Sequence, residues 1–139
     1  MYLVKNEVNV RFGECDPMGI AHHSHYFHWF ELGRFQMLDM TGINQYLKQG
    51  KLYFPIIDIR CTYKKSARFQ DDLIVETYLK NESKVYIEFV YKLFRKRCRV
   101  LLAEGFSKHV LTRSNNQLIS RLPEEILEKL QFENSGGVI

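Results

Sequence analysis

The sequence predicts an α+β fold: an antiparallel sheet of about five strands wrapped around one long apolar helix. Three observations predict it. First, the helical segment 25–40 is apolar around most of its circumference. Phe27, Trp29, Phe30, Leu32, Phe35, Met37, Leu38 and Met40 leave only His28, Glu31, Arg34 and Asp39 as a narrow wet stripe. A helix of that kind has to be enclosed. Second, most other stretches alternate apolar and polar residues with a period of two, as half-buried strands do. Third, no linker, repeat or low-complexity tract divides the 139 residues. One layered domain, 1–139, must therefore bury the helix.

The elements follow in order. Val4, Val8, Val10 and Phe12 share one parity, against Lys5, Glu7, Asn9 and Arg11 on the other, and read as a first strand. Pro17 and Gly19 break it and make a loop. The helix begins at His25 and stops at Thr41-Gly42. Ile57, Ile59, Cys61 and Tyr63 then alternate with Asp58, Arg60 and Thr62. Leu73, Val75, Thr77 and Leu79 follow Asp71-Asp72, and Val85, Ile87, Phe89, Tyr91 and Leu93 set out a third such strand. A last strand is expected from about Val100 to Leu111, and Pro123 to Leu130 reads as a terminal helix with Pro in its first turn. The stretch 134–139 is expected to fray. The second face of the sheet carries Tyr86, Val90 and Phe94 and is expected to meet part of a second subunit.

Bulk properties narrow the function. Hydrophobic residues make up 45% of the chain, enough for a real core. The net charge of +4, from 20 basic and 16 acidic residues, favours anionic ligands only weakly. Three scattered cysteines, Cys15, Cys61 and Cys98, form neither a disulfide framework nor a CxxC pair, which fits a cytoplasmic protein. The first ten residues mix Lys5, Asn6 and Glu7 into their apolar set, unlike a signal peptide. Charges interrupt every long apolar run, so no membrane span is expected. The densest basic run, Arg95, Lys96, Arg97 and Arg99, reads as a solvated hairpin tip or as a grip on phosphates or an acidic carrier. No nucleic-acid motif accompanies it.

The run from Arg11 to Tyr26 carries the chemistry. It places Asp16 after a strand, in a Gly-containing loop, just before the apolar helix. There a carboxylate stands beside free backbone N–H donors at a helix start. That is the layout of an acyl-transfer site, with a nucleophile or base on one side of a carbonyl and a polarising dipole on the other. Asp16 has a bland alternative as a turn or cap residue. Cys15 reads as a structural thiol rather than a nucleophile. His22, His23, His25 and His28 invite a metal, but adjacent side chains diverge and no second cluster supplies ligands, so neither metal nor cofactor is expected.

The order strand, Phe12-Gly13-Glu14-Cys15-Asp16-Pro17-Met18-Gly19-Ile20, then an aromatic-rich helix with Glu31 and Arg34, resembles the hotdog-fold acyl-CoA thioesterases. The likeness is nearest to the 4-hydroxybenzoyl-CoA thioesterase branch and its YbgC-like relatives. It recurs in the run from Ser66 to Thr77 and covers about residues 5–112. The resemblance implies a homo-oligomer, dimer or tetramer, with sites at the subunit interface and an acyl-CoA substrate. It puts Asp16 on the catalytic carboxylate, as nucleophile or general base, and the His23 amide on the donor that binds the thioester oxygen. The His23 ring either orients the reacting groups or packs at the interface. Glu31 and Tyr46 fall, by a loose match, on substrate-binding positions. Gly19 in the loop and the aromatic helix face around Tyr26 and Phe30 are also expected to contact the substrate, the helix face with core packing as its alternative. Glu31 also has two other readings, as a helix-borne catalytic group or as part of an ion pair. The turn Lys80-Asn81-Glu82-Ser83-Lys84 keeps only two lysines where those enzymes carry a dense basic cluster. An acyl carrier protein therefore stays open as the alternative carrier, and a non-catalytic acyl-binding module as the alternative class.

Overall fold

A computed structural model describes residues 2–80 and 82–131. Five strands make one antiparallel sheet: β1 (Tyr2–Asn9), β2 (Ile56–Tyr63), β3 (Asp72–Lys80), β4 (Ile87–Arg95) and β5 (Val100–His109). Their order across the sheet is β1-β3-β4-β5-β2, which leaves β1 and β2 as the edges. Helix α1 (His25–Thr41) packs on one face, and α2 (Ile43–Gln49) follows it directly. Two short strands, β6 (Leu111–Thr112) and β7 (Leu118–Ile119), pair with each other, and α3 (Glu124–Gln131) closes the described chain.

One row of residues across the sheet shows how the helix is seated. The register pairs Val4 with Thr77, Thr77 with Tyr91, Tyr91 with Gly105, and Gly105 with Cys61. On α1, Phe30 stacks on Tyr91 with ring centroids 4.5 Å apart and planes 6° from parallel. Both rings are fully buried, and removing a side chain of that size from water stabilises by about 1.5–3 kcal/mol. Gly33 lies over Thr77, where a Cβ would stand 1.9 Å from the Thr77 hydroxyl. Only a residue without a side chain lets α1 approach β3 this closely.

The strands and α1 follow the alternation and the apolar run that predict them, and Gly42 (φ 78°) caps α1 where the stop is expected. Several details differ. Phe12 belongs to a 3₁₀ turn, Phe12–Glu14, and is 78% exposed rather than continuing the strand. β4 begins at Ile87, leaving Val85 outside it. The last strand ends at His109, with Leu111 starting β6. The sheet does not enclose α1 completely, since Leu32 and Phe35 are 49% and 52% exposed. Arg34, expected on the wet stripe, is buried, with the Tyr91 hydroxyl on β4 as its hydrogen-bond partner. On the second face of the sheet Lys108 sits over the Tyr86 ring and Arg99 over Phe94, so cations cover part of what parity alone marks as apolar. The expected fraying at 134–139 lies outside the described residues. Among the described residues no helix is long and apolar enough to cross a membrane.

Candidate active site

The loop between β1 and α1 is built around Asp16. The Asp16 Oδ1 atom accepts the backbone N–H groups of Met18 and Ile20, at 2.8 and 3.3 Å. The Gly19 amide donates to the Asp16 carbonyl, and the Asp16 amide to the Ile20 carbonyl. Gly19 makes the turn possible with φ of +77°, a conformation side chains rarely adopt. The turn role of Asp16 is thus real, yet it uses one carboxylate oxygen. Among the described residues Oδ2 has no hydrogen-bond partner.

Three contacts fix this loop on the helix and sheet. Glu14 is buried, accepts the Arg11 amide at 2.8 Å through Oε1 and accepts the Trp29 indole N–H at 3.2 Å through Oε2. That ties the 3₁₀ turn to the second turn of α1. The Ala21 amide donates to the Ala67 carbonyl, and the Ala67 amide to the Tyr26 hydroxyl at 3.1 Å. The Tyr63 hydroxyl, at the end of β2, donates to the His23 carbonyl at 2.9 Å. Burial pushes the Tyr26 and Tyr63 phenols up from their ordinary value, so both stay neutral and act as hydrogen-bonding groups.

Asp16, His22, His23, Tyr26, Tyr63 and Lys64 line one cleft of about 320 Å³, with Lys65 and Ser66 beside them. The amides entering α1 are mostly satisfied locally. Ser24 N–H donates to His22 Nδ1, and the His25 and Tyr26 amides donate to the carbonyls of His22 and His23. The His23 amide has no acceptor among the described residues. The cleft therefore joins a half-buried carboxylate with one unengaged oxygen to an unengaged backbone donor. Burial, then the Asp16 and Glu14 carboxylates, push the Cys15 thiol up, which keeps it protonated.

Of the residues expected at the site, Asp16, His23 and Tyr26 share this cleft, and Gly19 shapes its loop. Glu31 does not line it. Its carboxylate faces His28 and Arg34, a turn to either side, at 3.8 and 3.9 Å, the ion-pair alternative. Tyr46 lies on α2, half-buried against the core, and does not line the cleft either. The four histidines form a run of neighbouring rings, His22 and His23 at 4.1 Å between centroids. Among the described residues no group of three His, Cys, Asp or Glu is placed to hold a metal. Sequence reasoning missed the supporting roles of Glu14 and Tyr63. Tyr63 showed only as one more strand residue, because its partner lies 40 positions away.

The model of the thioesterase-like superfamily matches residues 10–130. The chain belongs to that family, and it has the hotdog fold. Its class is that of the thioester hydrolases. It is 29% identical to the acyl-CoA thioesterase YbgC of Haemophilus influenzae, over 63% of this chain and 66% of that one. Among solved structures, a DHNA-CoA thioesterase from Staphylococcus aureus is similar at a TM-score of 0.77 and 25% identity, covering 86% of this chain and 81% of that chain. A 4-hydroxybenzoyl-CoA thioesterase shares the fold at a TM-score of 0.81 and 17% identity, covering 94% of this chain and 99% of that chain.

Proposed function

We propose that this protein hydrolyses an acyl-CoA thioester in the Asp16 cleft, releasing the free acid and CoA. The thioester carbonyl carbon faces Asp16 Oδ2, and its oxygen accepts the His23 N–H. Asp16 attacks the carbonyl to form a mixed anhydride that water then cleaves, or it takes a proton from the attacking water. Either way negative charge develops on the carbonyl oxygen, where a fixed backbone donor stabilises it without reorganising. The CoA thiolate is a good leaving group, so no strong general acid is needed. The observation that carries this reading is the pairing of two unengaged groups, Asp16 Oδ2 and the His23 amide, on one cleft.

The charge pattern favours CoA over a carrier protein. In the basic hairpin run Arg95 is held by Asp71 at 3.1 Å, Lys96 by Glu7 at 2.7 Å and Arg99 by Glu76 at 3.3 Å. That leaves Arg97 as the one cation of the run without a carboxylate partner among the described residues. Lys64 and Lys65, by contrast, are exposed on the cleft itself and suit a polyanionic carrier. Assays with matched acyl-CoA and acyl-carrier-protein substrates, on wild type and Asp16→Asn, test both points. Hydrolysis of the CoA ester by wild type but not the variant is expected, whereas equal turnover by the two would sink the role of Asp16.

A second copy is expected along the exposed edge of β2. Ile57 on that strand and Phe35, which lines a cavity with Ile56 at its start, are about half exposed, and among the described residues the β2 edge has no strand partner. Sedimentation showing a dimer or tetramer, converted to monomer by Ile57→Lys, is the expected outcome. A wild-type monomer at micromolar concentration would remove this part of the proposal.

A further inference from the structure

The middle of α1 holds a charged group that thioester chemistry at Asp16 does not use. Arg34 is 6% exposed. Its guanidinium makes one hydrogen bond, from Nη1 to the Tyr91 hydroxyl at 3.1 Å. The nearest carboxylate, Glu31, is 3.9 Å from Nη2, beyond hydrogen-bonding reach. An arginine has five N–H donors in a planar fork, so most of this fork has no acceptor among the described residues. A buried cation with so few partners is unfavourable unless a further group accepts from it.

Arg34 lines a cavity of about 360 Å³ between α1, α2 and the start of β2. Leu38, Leu47, Leu52 and Phe54 form apolar walls. His109 is also there, but both of its ring nitrogens are engaged, Nε2 with the Ser107 hydroxyl at 2.9 Å and Nδ1 with the Phe54 carbonyl at 3.4 Å. Burial, reinforced by the Arg34 charge, pulls the His109 pKa down to about 4, so the ring adds no second positive charge. The cavity thus combines one buried cation and a mostly unfilled donor fork with largely apolar sides, and Asn44 and the exposed Lys48 also belong to its lining.

We propose that this cavity binds an organic monocarboxylate with a compact apolar body, its carboxylate on the open side of the Arg34 guanidinium and its body against Leu38, Leu47 and Leu52. The planar fork matches a carboxylate in geometry and charge. A phosphate dianion fits less well, because the Glu31 carboxylate stands close by and repels a second negative charge. The volume is at the lower end of ordinary small-molecule sites, which suits a body the size of one ring or a short branched chain. This cavity and the Asp16 cleft share no lining residue. The site therefore stands whether or not Asp16 is catalytic.

Calorimetric titration with benzoate, and with benzamide as its neutral counterpart, tests the proposal on wild type, Asp16→Asn, Arg34→Leu and Leu52→Trp. Saturable benzoate binding at one site per chain is expected, with benzamide about tenfold to a hundredfold weaker, the range set by loss of a charge-assisted hydrogen bond. Asp16→Asn should bind benzoate like wild type. Arg34→Leu should fall to the benzamide level, and Leu52→Trp, which fills the cavity from a half-buried wall position, should lose binding. The Trp variant keeps the test decisive if Arg34→Leu does not fold. Equal affinity for benzoate and benzamide, unchanged binding in Leu52→Trp, or loss of binding in Asp16→Asn would each overturn the proposal. So would the absence of saturable binding up to the millimolar range, the result expected if a second copy's side chains occupy the cavity.

Discussion

The two ends of the polar machinery around α1 are built in opposite ways. At the helix entrance Asp16 is held by backbone amides in a loop, with one carboxylate oxygen and the His23 N–H left without partners among the described residues, and both residues line a cleft open to solvent. Under the middle of the helix Arg34, Tyr91, Ser107 and His109 are strung side chain to side chain in the core, with bonds of 3.1, 2.6 and 2.9 Å. The first arrangement fixes a carboxylate through its surroundings while leaving one of its oxygens unengaged. The second joins α1, β4 and β5 through groups that would be unfavourable in the interior one at a time. The difference predicts that substitutions at the entrance change rate and spare stability, and that substitutions in the chain beneath do the reverse.

Asp16→Asn is the sharpest way to break that contrast. The amide oxygen of Asn can still accept from Met18 and Ile20, so the loop should keep its shape while the proposed nucleophile or base is lost. Turnover of the best CoA ester should fall by about 10²–10⁴-fold, as loss of a positioned base does, with the melting temperature nearly unchanged. Single-turnover hydrolysis beside a thermal melt checks both halves, and an equal fall in stability would mean the two ends are not separable.

His109 gives the next largest effect, and its sign is the same as that of a paired carboxylate, in a window at higher pH. Its folded pKa, about 4, lies below the ordinary value of 6.5, so between these values the unfolded chain binds more protons. Stability is fully present above about pH 6.5 and is lost as pH falls toward 4, by on the order of 3 kcal/mol from this residue. Urea unfolding at pH 7 and pH 4.5, compared with His109→Gln, isolates the contribution of this residue. An identical pH slope in wild type and variant would contradict it.

Tyr91→Phe should destabilise by about 1–3 kcal/mol, because the Arg34 and Ser107 groups lose their shared buried partner. Turnover should stay near wild type, and a large loss of kcat with intact stability would erase the distinction between the two regions. Tyr63→Phe is the smallest expected change. It removes the bond that orients the His23 carbonyl and should cost about 0.5–1.5 kcal/mol, read as a modest fall in kcat/KM.

How much of this was legible in the chain depends on how local each feature is. The strands announce themselves by alternation, and α1 by its apolar circumference, because both patterns are contained within one segment. α2 did not, since Ile43–Gln49 is short and only Ile43 and Leu47 are buried in it. β6 and β7 have two residues each, too few for any period to show. Arg34 read as a surface residue because its burial depends on Tyr91, 57 positions away. The Asp16 loop was legible because the carboxylate and the amides it binds lie within four residues. On the far wall of the cleft, Lys64 and Lys65 could be read as phosphate contacts or as strand flanks, but the place of Tyr63 was not legible, because sheet topology alone brings it there.

The buried hydrogen bond between Glu14 and Trp29 has a practical corollary. Trp29 is the chain's sole indole, and it is anchored to the turn that begins the Asp16 loop. Intrinsic emission from this protein is therefore a built-in optical gauge of that turn's seating. Any occupant that loosens or tightens the segment should register as a wavelength shift, without a dye or a label.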